Sequence, residues 1–204
     1  DYATGDFSRV LRDLQIVAGR GEELGAEERV LGAVALYETG RPQVGRRLLE
    51  EVLSEPGPPP EAALEFSRLE SHRDPEGAHR VLVEAQARSP GSPSVLEALT
   101  RLEVARGEAP AARARLDAIV ASGRAVPRTL VLRAEVLRGM GDLDAAAADL
   151  LRAFEANPEL PGVVDPLFEV YRAQGKLAQA RSSFEQADGA GVLRPGARVL
   201  LARL

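Results

Sequence analysis

From Leu130 to Arg138 the apolar residues Leu130, Ala134 and Leu137 recur at the four-and-three spacing of one helical face. Gly141 follows, a residue able to take the left-handed conformation that closes a helix, and Asp142 stands where it can cap the next one. A second apolar stripe runs through Leu143, Ala146, Leu150 and Ala153 before the turn residues Asn157-Pro158. The stretch predicts two short helices joined by a tight turn. Shifted by 34 residues the pattern repeats, with glycine at Gly107, Gly141 and Gly175 and alanine at Ala78, Ala112, Ala146 and Ala180. Large apolar residues keep the same step at Leu82, Leu116, Leu150 and Phe184, and a fourth column holds Ala85, Ile119, Ala153 and Ala187. Small residues let paired helices approach closely, and large ones fill the space between neighbouring pairs.

The period divides the chain into one array. It consists of a half repeat over 1–24, repeats over about 26–57, 59–92, 93–126, 127–160 and 161–194, and a partial helix over 195–204. In the second of these, Gly40, Gly45 and Leu49 fit with a shorter step across the proline-rich segment Pro56 to Pro60. Asp6 after Gly5, and Asp74 before Pro75, are further cap candidates. The half repeat reads as a lone second helix with Phe7, Val10, Leu14 and Val17 on its apolar side. Composition agrees with an all-α fold. Ala, Leu, Glu and Arg dominate, and only 4% of residues are aromatic, a mixture that favours helix over strand.

Leu130, Ala134, Leu137, Gly141, Leu143, Ala146, Leu150, Ala153 and Pro158 together resemble the tetratricopeptide repeat, a helix-turn-helix unit of 34 residues. Val164, Leu167, Tyr171, Gly175, Leu177, Ala180, Phe184 and Ala187 resemble it again, without the closing proline. Two units depart from the pattern: Glu103 stands at a usually apolar position, and Arg73 replaces the turn glycine. The resemblance implies a right-handed α-solenoid of antiparallel helix pairs. Its first helices would line a concave groove, with protein or peptide partners bound there. Residues about 100° from the core face of each first helix are then groove candidates. They are Val34 and Tyr37, Ser67 and Glu70, Glu97 and Arg101, Val131, Glu135 and Arg138, and Glu169 and Arg172. Of these, Val34, Tyr37, Arg101, Glu135, Arg138, Glu169 and Arg172 are the expected partner-binding set. Arg101 with Glu135, and Arg138 with Glu169, are expected to pair between neighbouring units. The Lys and Asn side chains with which the family clamps a C-terminal carboxylate are absent from these positions.

Charge narrows the function classes. The formal charge is −5, Arg46-Arg47 is the only adjacent arginine pair, and Tyr37, Phe66 and Tyr171 are too few to line a stacking channel, so nucleic acid is not an expected partner. His72 and His79 flank the turn at Asp74, a spacing that fits solvated turn residues better than a metal site. Adjacent carboxylates such as Glu22-Glu23, Glu27-Glu28 and Glu50-Glu51 point in different directions on a helix and read as solvated faces. No phosphate loop, nucleophile elbow or zinc-protease motif occurs, and there is no cysteine. No enzyme, cofactor or metal is expected. No apolar run reaches the roughly 18–20 residues that span a bilayer, and the first six residues lack a signal-peptide pattern.

Lys176 is the one lysine among 26 basic residues, a bias expected of a GC-rich bacterium. Both ends fall inside a repeat, which implies a cut from a longer array. Val10, Leu14 and Val17 at one end, and Val199, Leu200 and Leu204 at the other, would then be open to self-association. The expected function is a non-catalytic protein-interaction scaffold within a larger bacterial assembly protein, cytoplasmic or periplasmic, with the cell envelope favoured. The competing expectation is a regulatory or substrate-docking region of a larger enzyme such as a glycosyltransferase or kinase.

Overall fold

The structure is a computed structural model that describes residues 6–21, 23–189 and 198. Among them it contains eleven helices and no strand. These are α1 (Phe7–Gly19), α2 (Ala26–Glu38), α3 (Pro42–Leu53), α4 (Pro60–Glu70), α5 (Pro75–Arg88) and α6 (Pro93–Ala105), followed by α7 (Ala109–Ala121), α8 (Pro127–Gly139), α9 (Leu143–Ala156), α10 (Val164–Ala173) and α11 (Leu177–Gly189). The all-α helical-repeat expectation is met. The partial helix predicted over 195–204 falls outside the described residues, Arg198 excepted.

Proline opens α3, α4, α5, α6 and α8, where its fixed φ suits the first helical position and its missing N–H costs nothing. Asp6, Asp74 and Asp142 cap their helices as predicted, accepting from the backbone N–H of Arg9, Gly77 and Ala145 at 3.1, 2.8 and 3.3 Å.

Between the helices of a pair the chain turns by one recurring device. Gly40, Gly107, Gly141 and Gly175 have φ of +80°, +78°, +83° and +69°, and the N–H of the next residue reaches back five positions. These bonds run from Arg41 to Leu36, Glu108 to Glu103, Asp142 to Leu137 and Lys176 to Tyr171, at 2.7–2.9 Å. This is the six-to-one closure of a helix ended by a left-handed residue. The α4–α5 turn differs. There the N–H groups of Arg73 and Asp74 both bond the Glu70 carbonyl, at 2.9 and 2.7 Å, and no residue has positive φ. A shorter turn with no left-handed position explains why Arg73 can stand where the other units need glycine.

The chain forms two compact units, residues 1–102 and 103–204, with the division inside α6. The core of the first unit joins Val30 and Ala33 of α2, Leu49 and Val52 of α3, Ala62 and Phe66 of α4, Ala78, Leu82 and Ala85 of α5, and Val95, Leu99 and Leu102 of α6. That of the second is built on Leu130, Ala134, Leu137, Ala146, Leu150, Ala153, Leu167, Tyr171, Ala180 and Phe184. Phe154 and Phe184 meet edge to face there, with centroids 5.5 Å apart. The small and large columns of the repeat are thus the cores themselves: Ala78, Ala112, Ala146 and Ala180 are all fully buried. Gly45 holds the corresponding place on α3, where a Cβ would lie 2.6 Å from both the Ala33 carbonyl oxygen and the Tyr37 ring. The lone helix α1 buries none of its residues completely; Val10, Leu14 and Val17 are half-covered, with Leu14 set against Gly32 of α2.

Candidate interaction surface

The seven predicted partner-binding residues divide into three groups. Val34 is buried in α2, 1% exposed, and offers no surface to a partner. Ser67, Glu70 and Val131, which the same helical reckoning placed on the groove, are buried as well. Tyr37 is half-buried and its hydroxyl donates to Glu70 Oε1 at 2.6 Å, so the phenol is a structural donor. Burial, and then that hydrogen bond to a carboxylate, push its pKa above the ordinary tyrosine value. The remaining five stand at the surface. Arg101 pairs with Glu97 on its own helix at 2.6 Å, and Arg172 with Glu169 on its own helix at 2.5 Å. The pairing expected between Arg138 and Glu169 therefore does not form. Glu135 and Arg138 are exposed on α8 and have no hydrogen-bond or ion partner among the described residues.

A polar centre that the groove reckoning missed lies in the first unit, around Arg46. Its Nε donates to Glu50 Oε1 at 2.8 Å, one terminal nitrogen to Glu70 Oε2 at 2.7 Å and the other to Asp74 Oδ2 at 2.7 Å. The guanidinium also lies 5.6 Å from the centre of the Phe66 ring. Glu70 is 1% exposed, and with Tyr37 on one oxygen and Arg46 on the other its charge is balanced inside the fold. Four segments meet here: α2 through Tyr37, α3 through Arg46, α4 through Glu70, and the α5 cap through Asp74. Gln43, Arg46, Arg47, Glu50, Glu70 and Arg73 line a cleft of about 320 Å³ above this centre.

The second unit repeats the theme with different partners. Glu103, also fully buried, pairs with Arg115 of α7. Asp149 of α9, 1% exposed, accepts two bonds of 2.6 Å from Arg133 of α8, which also donates to Asp117 of α7 at 3.0 Å. Glu103 shares one helical position with Leu69, Leu137 and Tyr171, a position usually apolar in the repeat, and Glu70 lies one residue beyond that column. A carboxylate in a core column needs a cation at hand, and that was the readable signal for the Glu103 pair. No group of three or more acidic or histidine side chains among the described residues could hold a metal ion.

The Asp74 carboxylate gives a pH signature. The Gly77 N–H and then Arg46 hold it below the ordinary aspartate range, against an opposing effect of burial. A carboxylate depressed in the folded state contributes stability that is present above its unfolded pKa of about 4 and is lost as pH falls through the lower folded value. Asp74→Asn keeps a capping side chain but removes the charge. Urea midpoints measured between pH 6 and 2.5 should therefore fall less steeply for Asp74→Asn than for the parent. Parallel curves would show that Asp74 does not carry this linkage.

Repeated helical pairs, glycine turns and small-residue contacts define an all-α helical-repeat protein. No protein-family model matches the chain, and no curated protein matches it in sequence. Solved structures do match in fold, and tetratricopeptide-repeat proteins are among them. TTC0263, a thermophilic TPR protein of Thermus thermophilus, is 23% identical, covers 88% of this chain and 98% of its own, and has a TM-score of 0.54. A tetratricopeptide repeat protein from Parabacteroides merdae reaches a TM-score of 0.64 at 15% identity, over 95% of this chain and 76% of that one. The human IFIT1 dimer with PPP-AAAA matches 93% of this chain and 49% of that one, at 17% identity and a TM-score of 0.51. The tetratricopeptide resemblance read from the repeat columns thus holds at the level of fold.

Proposed function

We propose that the chain is a non-catalytic scaffold that binds a peptide or protein surface, as part of a larger bacterial assembly protein. The observation that carries this reading is on the second unit, where Glu135 and Arg138 of α8 are exposed and uncommitted. Arg172 of α10 adds a further exposed guanidinium, tied among the described residues only to Glu169 along its own helix. Uncommitted charge at a polar rim stays hydrated on binding and supports partner selection more than affinity. The mixed signs favour a folded or zwitterionic partner surface over a uniformly charged strand. Nucleic acid is not the partner proposed: the chain is acidic, Phe66 and Tyr171 are buried, and the Tyr37 hydroxyl is occupied.

The test is a pull-down from lysate of the native organism with the parent chain and with Arg138→Glu/Arg172→Glu. Both residues are exposed, so the variant should melt within about 0.5 kcal/mol of the parent. Its captured proteins should be fewer and more easily lost as salt rises. An identical set of captured proteins would move the binding surface away from α8 and α10.

A further inference from the structure

The cleft above Arg46 has a donor inventory that the fold does not use. Arg46 itself is spent on Glu50, Glu70 and Asp74. Arg47 and Gln43, both exposed, have no hydrogen-bond or ion partner among the described residues. Arg73 is 61% exposed and touches the cluster only through a 3.6 Å approach to Glu70 Oε1, too long for a hydrogen bond. The unused groups are thus two guanidinium forks, with five N–H donors each, and one amide. Against them stands one free acceptor of consequence, the second oxygen of Glu50. The floor is fixed, because Glu70 is buried and bound on both oxygens. The lining carries three arginines and two glutamates; Arg46 is compensated by its carboxylate partners, Asp74 included, so the positive charge the cleft offers is that of Arg47 and Arg73.

We propose that this cleft is an oxyanion site, in which Arg47 and Arg73 hold a phosphate-sized anion or the carboxylate of a partner's acidic side chain. A donor-rich pocket wants an acceptor-rich ligand, and planar guanidinium forks match carboxylate and phosphate geometry better than any neutral group. A volume of about 320 Å³ accommodates such a group with its remaining water, though not a folded surface. With a small anion the site stands apart from the scaffold reading; with a partner's carboxylate it rests on that reading and supplies one of its contacts.

The experiment follows the arginine side-chain Nε–H resonances of the full chain in two titrations. One uses inorganic phosphate; the other uses an unstructured peptide of alternating Glu and Ala, with its Gln counterpart as a blank. Either probe should shift the Arg47 and Arg73 signals in the parent. Binding should weaken about tenfold or more in Arg47→Ala/Arg73→Ala, because two charge-assisted contacts are lost. It should tighten in Glu50→Gln, which removes the opposing carboxylate, and stay unchanged in Arg88→Ala, an exposed arginine outside the cleft. Binding by phosphate alone identifies a small-ion site, whereas stronger binding of the Glu peptide identifies a partner's carboxylate. The proposal is overturned if neither probe shifts these signals or if the double variant binds as the parent does. Either failure leaves the pull-down on α8 and α10 free to succeed, since those helices belong to the other unit.

Discussion

Replacing Arg46 by alanine should cost about 3 kcal/mol, near the lower end of the range for removing one partner of a buried ion pair. The loss comes from what is left behind. Glu70 is 1% exposed, and without Arg46 it keeps only the Tyr37 hydroxyl and the distant Arg73. Arg46 is 35% exposed, so water can partly replace it, which is why the lower end applies. In a unit of this size a loss of that magnitude lowers the melting temperature by roughly 12 °C or more. Glu50→Ala removes the exposed member of the same cluster and should cost no more than about 1 kcal/mol. The double variant Arg46→Met/Glu70→Leu should recover most of the loss, since an apolar pair of similar volume can replace a buried ion pair at little cost. Urea melts of the four proteins decide the matter. An Arg46→Ala protein within about 1 kcal/mol of the parent would mean that Glu70 does not depend on Arg46 for its charge balance.

Much of the fold was legible because repetition averages over local ambiguity. A single Ala or Gly says little, but Ala78, Ala112, Ala146 and Ala180 at a constant step mark one contact made four times, and all four are fully buried. The interaction surface was less legible, and the reason is geometric. The 100° reckoning assumes that each first helix buries one stripe. In fact α8 buries Thr129, Leu130, Val131, Leu132, Ala134, Val136 and Leu137, most of its circumference, because it is packed among other helices on several sides. Only residues such as Glu135 and Arg138 remain outside, and Val34 and Val131 fall within the wider buried arc. The Arg46 centre was hidden for another reason. Its buried partner Glu70 and its cap partner Asp74 lie 24 and 28 residues along the chain, and no spacing rule for one helix joins them. A carboxylate in an apolar column marks Glu103, whereas Glu70 lies one residue off that column, beside the altered α4–α5 turn in which Asp74 bonds its carbonyl.

A close contact between paired helices makes the last prediction, in which one chemical change has opposite signs at two places. Gly139→Ala at the end of α8 adds a methyl group to open space, since nothing lies within 4 Å of its Cβ position. There the gain in helix propensity acts alone, and the protein should be stabilised by roughly 0.5–1 kcal/mol. Gly45→Ala on α3 brings the same gain but sets its methyl 2.6 Å from the Ala33 carbonyl oxygen and 2.6 Å from Cδ2 of Tyr37. The carbonyl belongs to the backbone of α2 and cannot turn aside, so α2 and α3 must separate. Separation loosens Val30, Ala33, Leu49 and Val52 in the core and draws the Tyr37 hydroxyl away from Glu70. Overpacking of this kind typically costs 1–3 kcal/mol, and with loss of a buried hydrogen bond it outweighs the propensity gain, leaving a net loss of about 2 kcal/mol. Tyr37→Phe in the Gly45→Ala background should then cost less than it does in the parent, because the bond it removes is already strained or broken. Chemical melts of the two alanine variants and of this double-mutant cycle carry the test. A Gly45→Ala protein as stable as Gly139→Ala would show that α2 and α3 do not approach as closely as described.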